Sequence, residues 1–381
     1  MALLRGHRQA RRNFLLGLTS AGALALAACV GGPRGPIGPG PGPGPNLPPG
    51  ERNLVAVIVP LSGNDAGIGQ SLANAASLAL LDTGEKNIRV SMYDSAGAGG
   101  AAAATNRALA EGAGIILGPL LSEDVAAASP IARNAGVPII AFSNDAGVAA
   151  PGVYVLGFTP NQSVDRVVSF ARSQGATRFT GIVPQGLYGD RAKAALASAV
   201  GNAGGRLGAV ETYPRNAVGP KAAATRLKAK GPFDAVLIGD NGRAAANAAP
   251  VLPRTAKILG TELWSSDSSL GKTAALRGAF YAAPSDARFQ QLTGRYQARY
   301  GKQPYRLASL GYDAMLLAVR AAKDWPRGRP FPQRSLLDKD GFAGVDGSFR
   351  FRRDGVAERM LEVRQVTAKG TTVVSPAGTK F

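Results

Sequence analysis

The reactive side chain that stands out in this chain is Cys29, the only cysteine among 381 residues. It closes the run Leu26-Ala27-Ala28-Cys29, after an apolar stretch that begins at Phe14. Ahead of that stretch stand Arg5, Arg8, Arg11 and Arg12, with no acidic residue. A basic start, a short apolar core, small residues and then a cysteine form the pattern of a bacterial lipoprotein signal. The chemistry it predicts is cleavage before Cys29, joining of the thiol to a diacylglycerol and acylation of the new amine. Several acyl chains hold a protein on a membrane durably, where one does so only marginally. A bilayer span needs roughly 20 apolar residues, more than this run supplies, so the segment reads as a signal and not as an anchor.

Removal of residues 1–28 also removes His7, the only histidine. A mature chain without histidine or a free thiol has no Ser-His-Asp or Cys-His catalysis, no histidine metal site and no disulfide. Other enzymatic patterns are incomplete. Ser269-Leu270-Gly271-Lys272 has a serine–lysine spacing but no Ser-Asp-Asn or Lys-Thr-Gly partner. Gly271-Lys272-Thr273 ends like a phosphate loop, yet Ser266 stands where its first glycine belongs. Gly67-Ile68-Gly69 lacks the third glycine of a dinucleotide turn, and Asp338 and Asp340 lie in turn-like sequence. The expectation is a non-enzymatic protein with no cofactor and no metal. The export route reads from Arg11-Arg12-Asn13-Phe14-Leu15, which resembles a twin-arginine signal; an ordinary basic region is the other reading.

The formal net charge is +19, and the four arginines before Cys29 account for four of these charges, leaving +15. The basic residues are scattered and not gathered on one stripe, and export makes nucleic acid an unsuitable partner. Anionic lipid headgroups or an acidic cell-wall polymer suit the charge, as does solubility alone. After Val30 comes GGPRGPIGPGPGPGPNLPPG. Alternating Pro and Gly has no side chains to bury and forms no core. Residues 29–50 therefore read as a lipidated cysteine and a tether, reaching roughly 60 Å at about 3.1 Å per residue if fully extended.

From about residue 51 the pattern becomes globular. Leu54-Val55-Ala56-Val57-Ile58-Val59 is a β-branched run closed by Pro60, as expected of a strand buried on both faces. A helical stretch follows over about 69–81, then strands near 88–92, 114–117 and 137–141 separated by helices over 101–110 and 122–134. Ser122 is a plausible N-cap of the last of these. The rhythm repeats with strands near 179–183, 207–213, 234–238 and 256–259, and helices near 163–174, 190–203, 218–229 and 242–249. Alternation of buried strands and helices predicts parallel sheets covered on both faces, here as two similar lobes that break near 154–160. Two long helices are predicted over 286–300 and 305–323. From Gly341 short strands and turns take over, as a hairpin on a sheet edge.

Ligands of open α/β sheets bind beyond the carboxyl ends of the strands. The loops there carry Ser62, Asn64, Asp65, Ser122, Ser143, Asn144, Asp145, Tyr188, Asp240, Asn241, Glu262 and Trp264. Neutral donors, carboxylates and aromatics of this kind suit a small polar or zwitterionic ligand.

Four stretches carry a resemblance: VAVIVPLSG with AGIGQSLANAASLAL, IILGPLLSEDVAAASPIARNAGVPIIAFSND, PQGLYGDRA, and FQQLTGRYQARYGKQPYRLASLGYDAMLLAVRAA. Their order and spacing over residues 53–366 resemble the type 1 periplasmic binding proteins of the leucine-binding-protein family. The resemblance implies an α/β fold of two doubly wound parallel-sheet lobes with a hinge, closing on a ligand. It assigns 51–157 plus 283–330 to lobe 1 and 158–282 plus 331–381 to lobe 2. It implies that the loops at Gly118–Ser122 and Ser143–Asp145 hold a ligand's carboxylate and amine, with Tyr188 and Glu262 completing the grip. Ser122, Ser143, Asn144, Tyr188, Asp240 and Glu262 are the resulting site residues, and a hydroxyl with free amides at a helix start favours an anion at Ser122. Two departures stand out. Asp145 would repel a carboxylate unless paired or turned away, and no aromatic stands beside Gly67-Ile68-Gly69, where the uptake proteins often place one.

Leu259-Gly260-Thr261-Glu262-Leu263-Trp264 and Asp340-Gly341-Phe342-Ala343-Gly344-Val345-Asp346-Gly347 are similar to a lipoprotein branch of the family. Members of that branch are described as activators of peptidoglycan-synthesising penicillin-binding proteins. Two functions follow as expectations. One is capture of an amino-acid-class ligand for an ABC permease by hinge closure. The other is docking on a penicillin-binding protein. Val30, in place of an aspartate, permits the outer membrane in a Gram-negative envelope.

Overall fold

The computed structural model describes residues 52–378 and Phe381. The signal segment, Cys29 and the Pro/Gly tether lie outside the described residues. The chain starts at the centre of a sheet. Asn53–Val59 (β1) is buried at every position, because helices cover both faces. It is followed by Ala66–Thr83 (α1), Ile88–Asp94 (β2), Gly100–Ala110 (α2), Ala113–Leu117 (β3), Ser122–Asn134 (α3), Ile139–Ala141 (β4) and Val153–Val155 (β5). The strands lie in the order β2-β1-β3-β4-β5, all parallel.

The second lobe repeats this plan. Its elements are Pro160–Ser173 (α4), Arg178–Pro184 (β6), Leu187–Asn202 (α5), Arg206–Tyr213 (β7), Gly219–Lys228 (α6), Ala235–Ile238 (β8), Gly242–Ala248 (α7), Lys257–Gly260 (β9) and Phe280–Ala283 (β10). The parallel order β7-β6-β8-β9-β10 has the same connectivity as the first sheet. Each first strand runs into a proline, Pro60 just after β1 and Pro184 at the end of β6, whose carbonyl meets a glycine of the following helix. A Cβ at Gly69 would lie 1.7 Å from the Pro60 oxygen, and one at Gly189 would lie 1.6 Å from the Pro184 oxygen. Glycine at these two places lets the helix start directly over the strand end, which is where a ligand site forms in such sheets.

After β10 the chain crosses back. Ala287–Tyr300 (α8) and Ala308–Ala322 (α9) pack on the first lobe, burying Leu292, Tyr296, Leu310 and Met315 in the cluster that holds Val55, Val57 and Leu72. Phe342–Gly344 (β11), Gly347–Phe351 (β12) and Ala357–Arg359 (β13) form a small antiparallel sheet. Glu362–Thr367 (β14) then pairs antiparallel with β10, and Gly370–Ser375 (β15) closes the edge as the outer strand of a hairpin.

The division expected for residues 331–381 is corrected here. Phe331, Leu336, Phe342, Phe349, Phe351 and Ala357 are buried in the core cluster of the first lobe, and only residues from about Leu361 onward join the second. The reason is aromatic packing. Phe342 and Phe351 flank Phe349, and the Phe351 ring lies 5.3 Å from that of Tyr154. The chain thus passes between lobes near 156–159, 284–286 and 360–361. Among the described residues no helix is long and apolar enough to cross a membrane.

Candidate functional site: a cleft between the two lobes

A cavity of about 460 Å³ lies where the carboxyl ends of the two sheets face each other. The first lobe contributes Asp65, Ile68, Leu120, Leu121, Phe142 and Asn144 from its strand-end loops. The second contributes Glu262, Leu263, Ser265 and Ser266 from the loop after β9. Pro284 and Phe158 come from the crossings, and Tyr305, Arg306 and Leu307 from the segment before α9. The wall is mostly apolar, where the strand-end residues alone suggested a polar site. The apolar side chains come from the same loops, at positions next to the polar ones.

Glu262 is the chemical centre of the second lobe's contribution. It is 7% exposed and begins a short 3-10 turn after β9. The Ser163 hydroxyl donates to its Oε2 at 2.5 Å and the Tyr188 hydroxyl to its Oε1 at 3.3 Å. Burial pushes its carboxyl up to about 7, and the hydrogen bonds from Ser163 and Tyr188 only partly oppose this. The group is therefore poised between a neutral acid and a carboxylate at neutral pH. The Tyr188 oxygen also lies 3.2 Å from Thr261 Oγ1, whose hydroxyl donates to it. Burial and the neighbouring Glu262 raise its phenol well above the ordinary range, so it remains a neutral donor.

Of the six predicted site residues, Asn144 and Glu262 line the cavity, and Tyr188 reaches it through Glu262. The other three do not line it. Ser143 is 1% exposed and accepts from the Asp145 amide at 3.2 Å. Asp240 is buried within its own lobe, accepting from the Tyr213 hydroxyl at 2.6 Å and from Arg215 at 3.2 Å. Ser122 is not an N-cap. Leu121 holds the cap position, Ser122 is the first helical residue, and its hydroxyl donates to Glu123 at 3.1 Å. Glu123 and Asp124 already place negative charge in that first turn, which opposes an anion there. Strand-end position identifies the correct edge of each sheet, but not which way each side chain turns.

Both departures noted in the sequence resolve in space. Asp145 is paired: Arg191 of α5 donates to its Oδ1 at 2.7 Å, an ion pair from one lobe to the other. The aromatic missing beside Gly67 is supplied by Tyr305, whose hydroxyl would lie 2.9 Å from a Cβ on that glycine. Arg306 and Tyr305 escaped the sequence reading because they precede a helix far along the chain, not a sheet strand. The one signal was an arginine beside a tyrosine just before an otherwise apolar helix.

A two-lobed α/β fold with a cleft at the carboxyl ends of both sheets is the architecture of a type 1 periplasmic binding protein. The family model described as "Periplasmic binding protein" matches residues 54–371, and the chain belongs to that family. Solved structures agree in fold. A Rhodospirillum rubrum protein described as a branched-chain amino acid ABC transporter is 20% identical, with a TM-score of 0.75 over 85% of this chain and 100% of that one. A leucine binding protein of Thermotoga maritima MSB8 is 20% identical, with a TM-score of 0.64 over 86% of this chain and 99% of its own. A solute binding protein of Rhodopseudomonas palustris BisB5, solved with 3,4-dihydroxybenzoic acid, is 21% identical with a TM-score of 0.64, covering 87% and 97% of the two chains. An uncharacterised protein of Rickettsia prowazekii (strain Madrid E) is 28% identical over 134 residues. That match takes in 35% of this chain and 36% of the relative, so the chain spans about a third of the relative's length.

Proposed function

We propose that this chain is a non-enzymatic envelope lipoprotein that captures a small ligand between its lobes and delivers it to an ABC permease. The observation that carries the reading is the cavity itself. It is open, lined from both lobes, and holds a poised carboxyl at Glu262 and a neutral amide at Asn144 within an apolar wall. A ligand touching both lobes binds the closed form more tightly, so its binding energy shifts the population toward closure. The sequence pattern around Cys29 supports lipid anchoring, and the Pro/Gly segment supports a tether between lipid and lobes. Amino acids and aromatic acids are the ligand classes to try, on the strength of the neighbouring folds.

The test is thermal unfolding of the purified protein against a panel of amino acids and aromatic acids. A ligand at about a hundred times its dissociation constant stabilises by roughly 2.7 kcal/mol, or a few degrees for a chain of this size. A shift that is lost in Glu262→Ala supports capture. A flat response across the panel sinks it, and copurification with penicillin-binding proteins then becomes the next experiment.

A further inference from the structure

The capture reading leaves open which end of a ligand faces which lobe. The polar groups on the cavity wall are Asp65, Asn144, Glu262, Ser265, Ser266, Tyr305 and Arg306. Arg306 is the one cation among the described residues that line it. We infer that Arg306 is the receptor for the carboxylate of a captured ligand. The inference rests on the capture reading and deepens it.

The hydrogen bonding of the guanidinium carries the argument. Its Nη1 atom donates to Ser309 Oγ at 3.2 Å and lies 2.7 Å from Asp346 Oδ1. The ion pair is off the line of a hydrogen bond, since both Asp346 oxygens lack a hydrogen-bond donor. Its Nε and Nη2 atoms are buried and have no acceptor. Those two atoms share one edge of the guanidinium, the edge whose parallel N–H bonds match the two oxygens of a carboxylate. One flat face is taken by Phe289, 4.2 Å from the guanidinium carbon to the ring centre. A partly buried arginine with one terminus anchored and one edge both buried and unused is a donor lacking its acceptor. Both atoms lie below the cavity surface in this structure while the side chain borders it, so reception of a ligand requires a change in the Arg306 torsions.

The surroundings favour an anion at this place and at no other on the wall. Ser122 and Ser143 do not line the cavity, and Asp145 is itself an anion. Beneath Arg306 lie Asp313, Asp346 and Arg359, all buried. Burial and the neighbouring Asp346 raise the Asp313 carboxyl, which reduces the negative charge facing Arg306 and Arg359. Ile68, Leu120, Leu121, Phe142 and Phe158 provide the apolar wall for the ligand body. Glu262, contributed by the other lobe, suits an amine or hydroxyl at the ligand's far end.

The test is isothermal titration of the protein with three acid and amide pairs: L-leucine and L-leucinamide, L-phenylalanine and L-phenylalaninamide, 4-hydroxybenzoate and 4-hydroxybenzamide. Wild type is expected to hold at least one acid roughly 100-fold more tightly than its amide, the scale set by breaking a desolvated charge pair. Arg306→Gln brings that ratio close to one. Arg306→Lys keeps the charge, loses the fork and falls between the two. Circular dichroism checks that each variant is folded, and the wild-type ratio stands as a test if neither is. Equal binding of acid and amide by wild type overturns the role of Arg306 while leaving capture intact. So does a folded Arg306→Gln that still prefers the acid. Failure of wild type to bind any of the six overturns the capture reading, and this inference with it.

Discussion

Glu262 holds its proton to a higher pH than a free carboxyl because it is buried without a cation. Between the ordinary carboxylate range and about 7, the folded state binds a proton that the unfolded state has released. Stability therefore falls as pH rises through that window and is fully present below it. The raised Asp313 carboxyl acts in the same direction. Thermal unfolding between pH 5.5 and 8 is expected to show a melting temperature that drops with pH. Glu262→Gln should flatten part of that slope, gaining up to about 3 kcal/mol over wild type at pH 8 and a little under half of that at pH 5.5. An unchanged slope would assign the proton to another group. The sequence made Glu262 and Asn144 visible because both follow strand ends. It could not separate them from Ser143 and Asp240, which sit at equivalent places but are satisfied by Asp145, Tyr213 and Arg215 within their own lobes. Arg306 was out of reach for a different reason, since only tertiary packing brings α9 to the cleft.

At the level of elements, the most constrained contacts are the two proline–glycine approaches. At Gly69 and Gly189 the neighbouring atom is a backbone carbonyl, which cannot turn aside. Gly69→Ala and Gly189→Ala should each force the helix away from its strand and cost about 3 kcal/mol, the upper range for overpacking. Urea titrations followed by circular dichroism would measure it, and a change below about 1 kcal/mol would mean that the helix starts tolerate displacement. The alternation of buried strands and helices was legible because both sheets are covered on two faces, so β3, β8 and β1 after Asn53 read as unbroken apolar runs. The short strands after Gly341 were expected too, but the lobe that they join was not. They are three to five residues long, too short to carry an apolar face that names its partner. Nothing local tells Phe349 or Phe351 which lobe to pack against.

Across the whole molecule, the ion pair between Asp145 and Arg191 is a contact from lobe to lobe that needs no ligand. Arg191 is nearly half exposed, so the pair is worth under about 1 kcal/mol, enough to tilt a hinge but not to lock it. Asp145→Ala should widen the distribution of lobe openings seen by small-angle scattering and weaken ligand binding by up to about fivefold. The exchanged pair, Asp145→Arg with Arg191→Asp, should restore both. If the exchange restores neither, the loop matters for a reason other than its charge.

The return of residues 331–357 to the first lobe also sets an order of assembly. The first sheet has all five strands by residue 155, yet its core still waits for the helices after Pro284 and for Phe331, Phe349 and Phe351. A ribosome adding about 5–20 residues per second needs roughly 10 to 40 s to supply the missing 200 or so. During that interval the first half of the chain carries an apolar surface with no cover. Its folding therefore cannot finish lobe by lobe as synthesis proceeds, and the first lobe closes its core only once the chain has been made as far as Ala357.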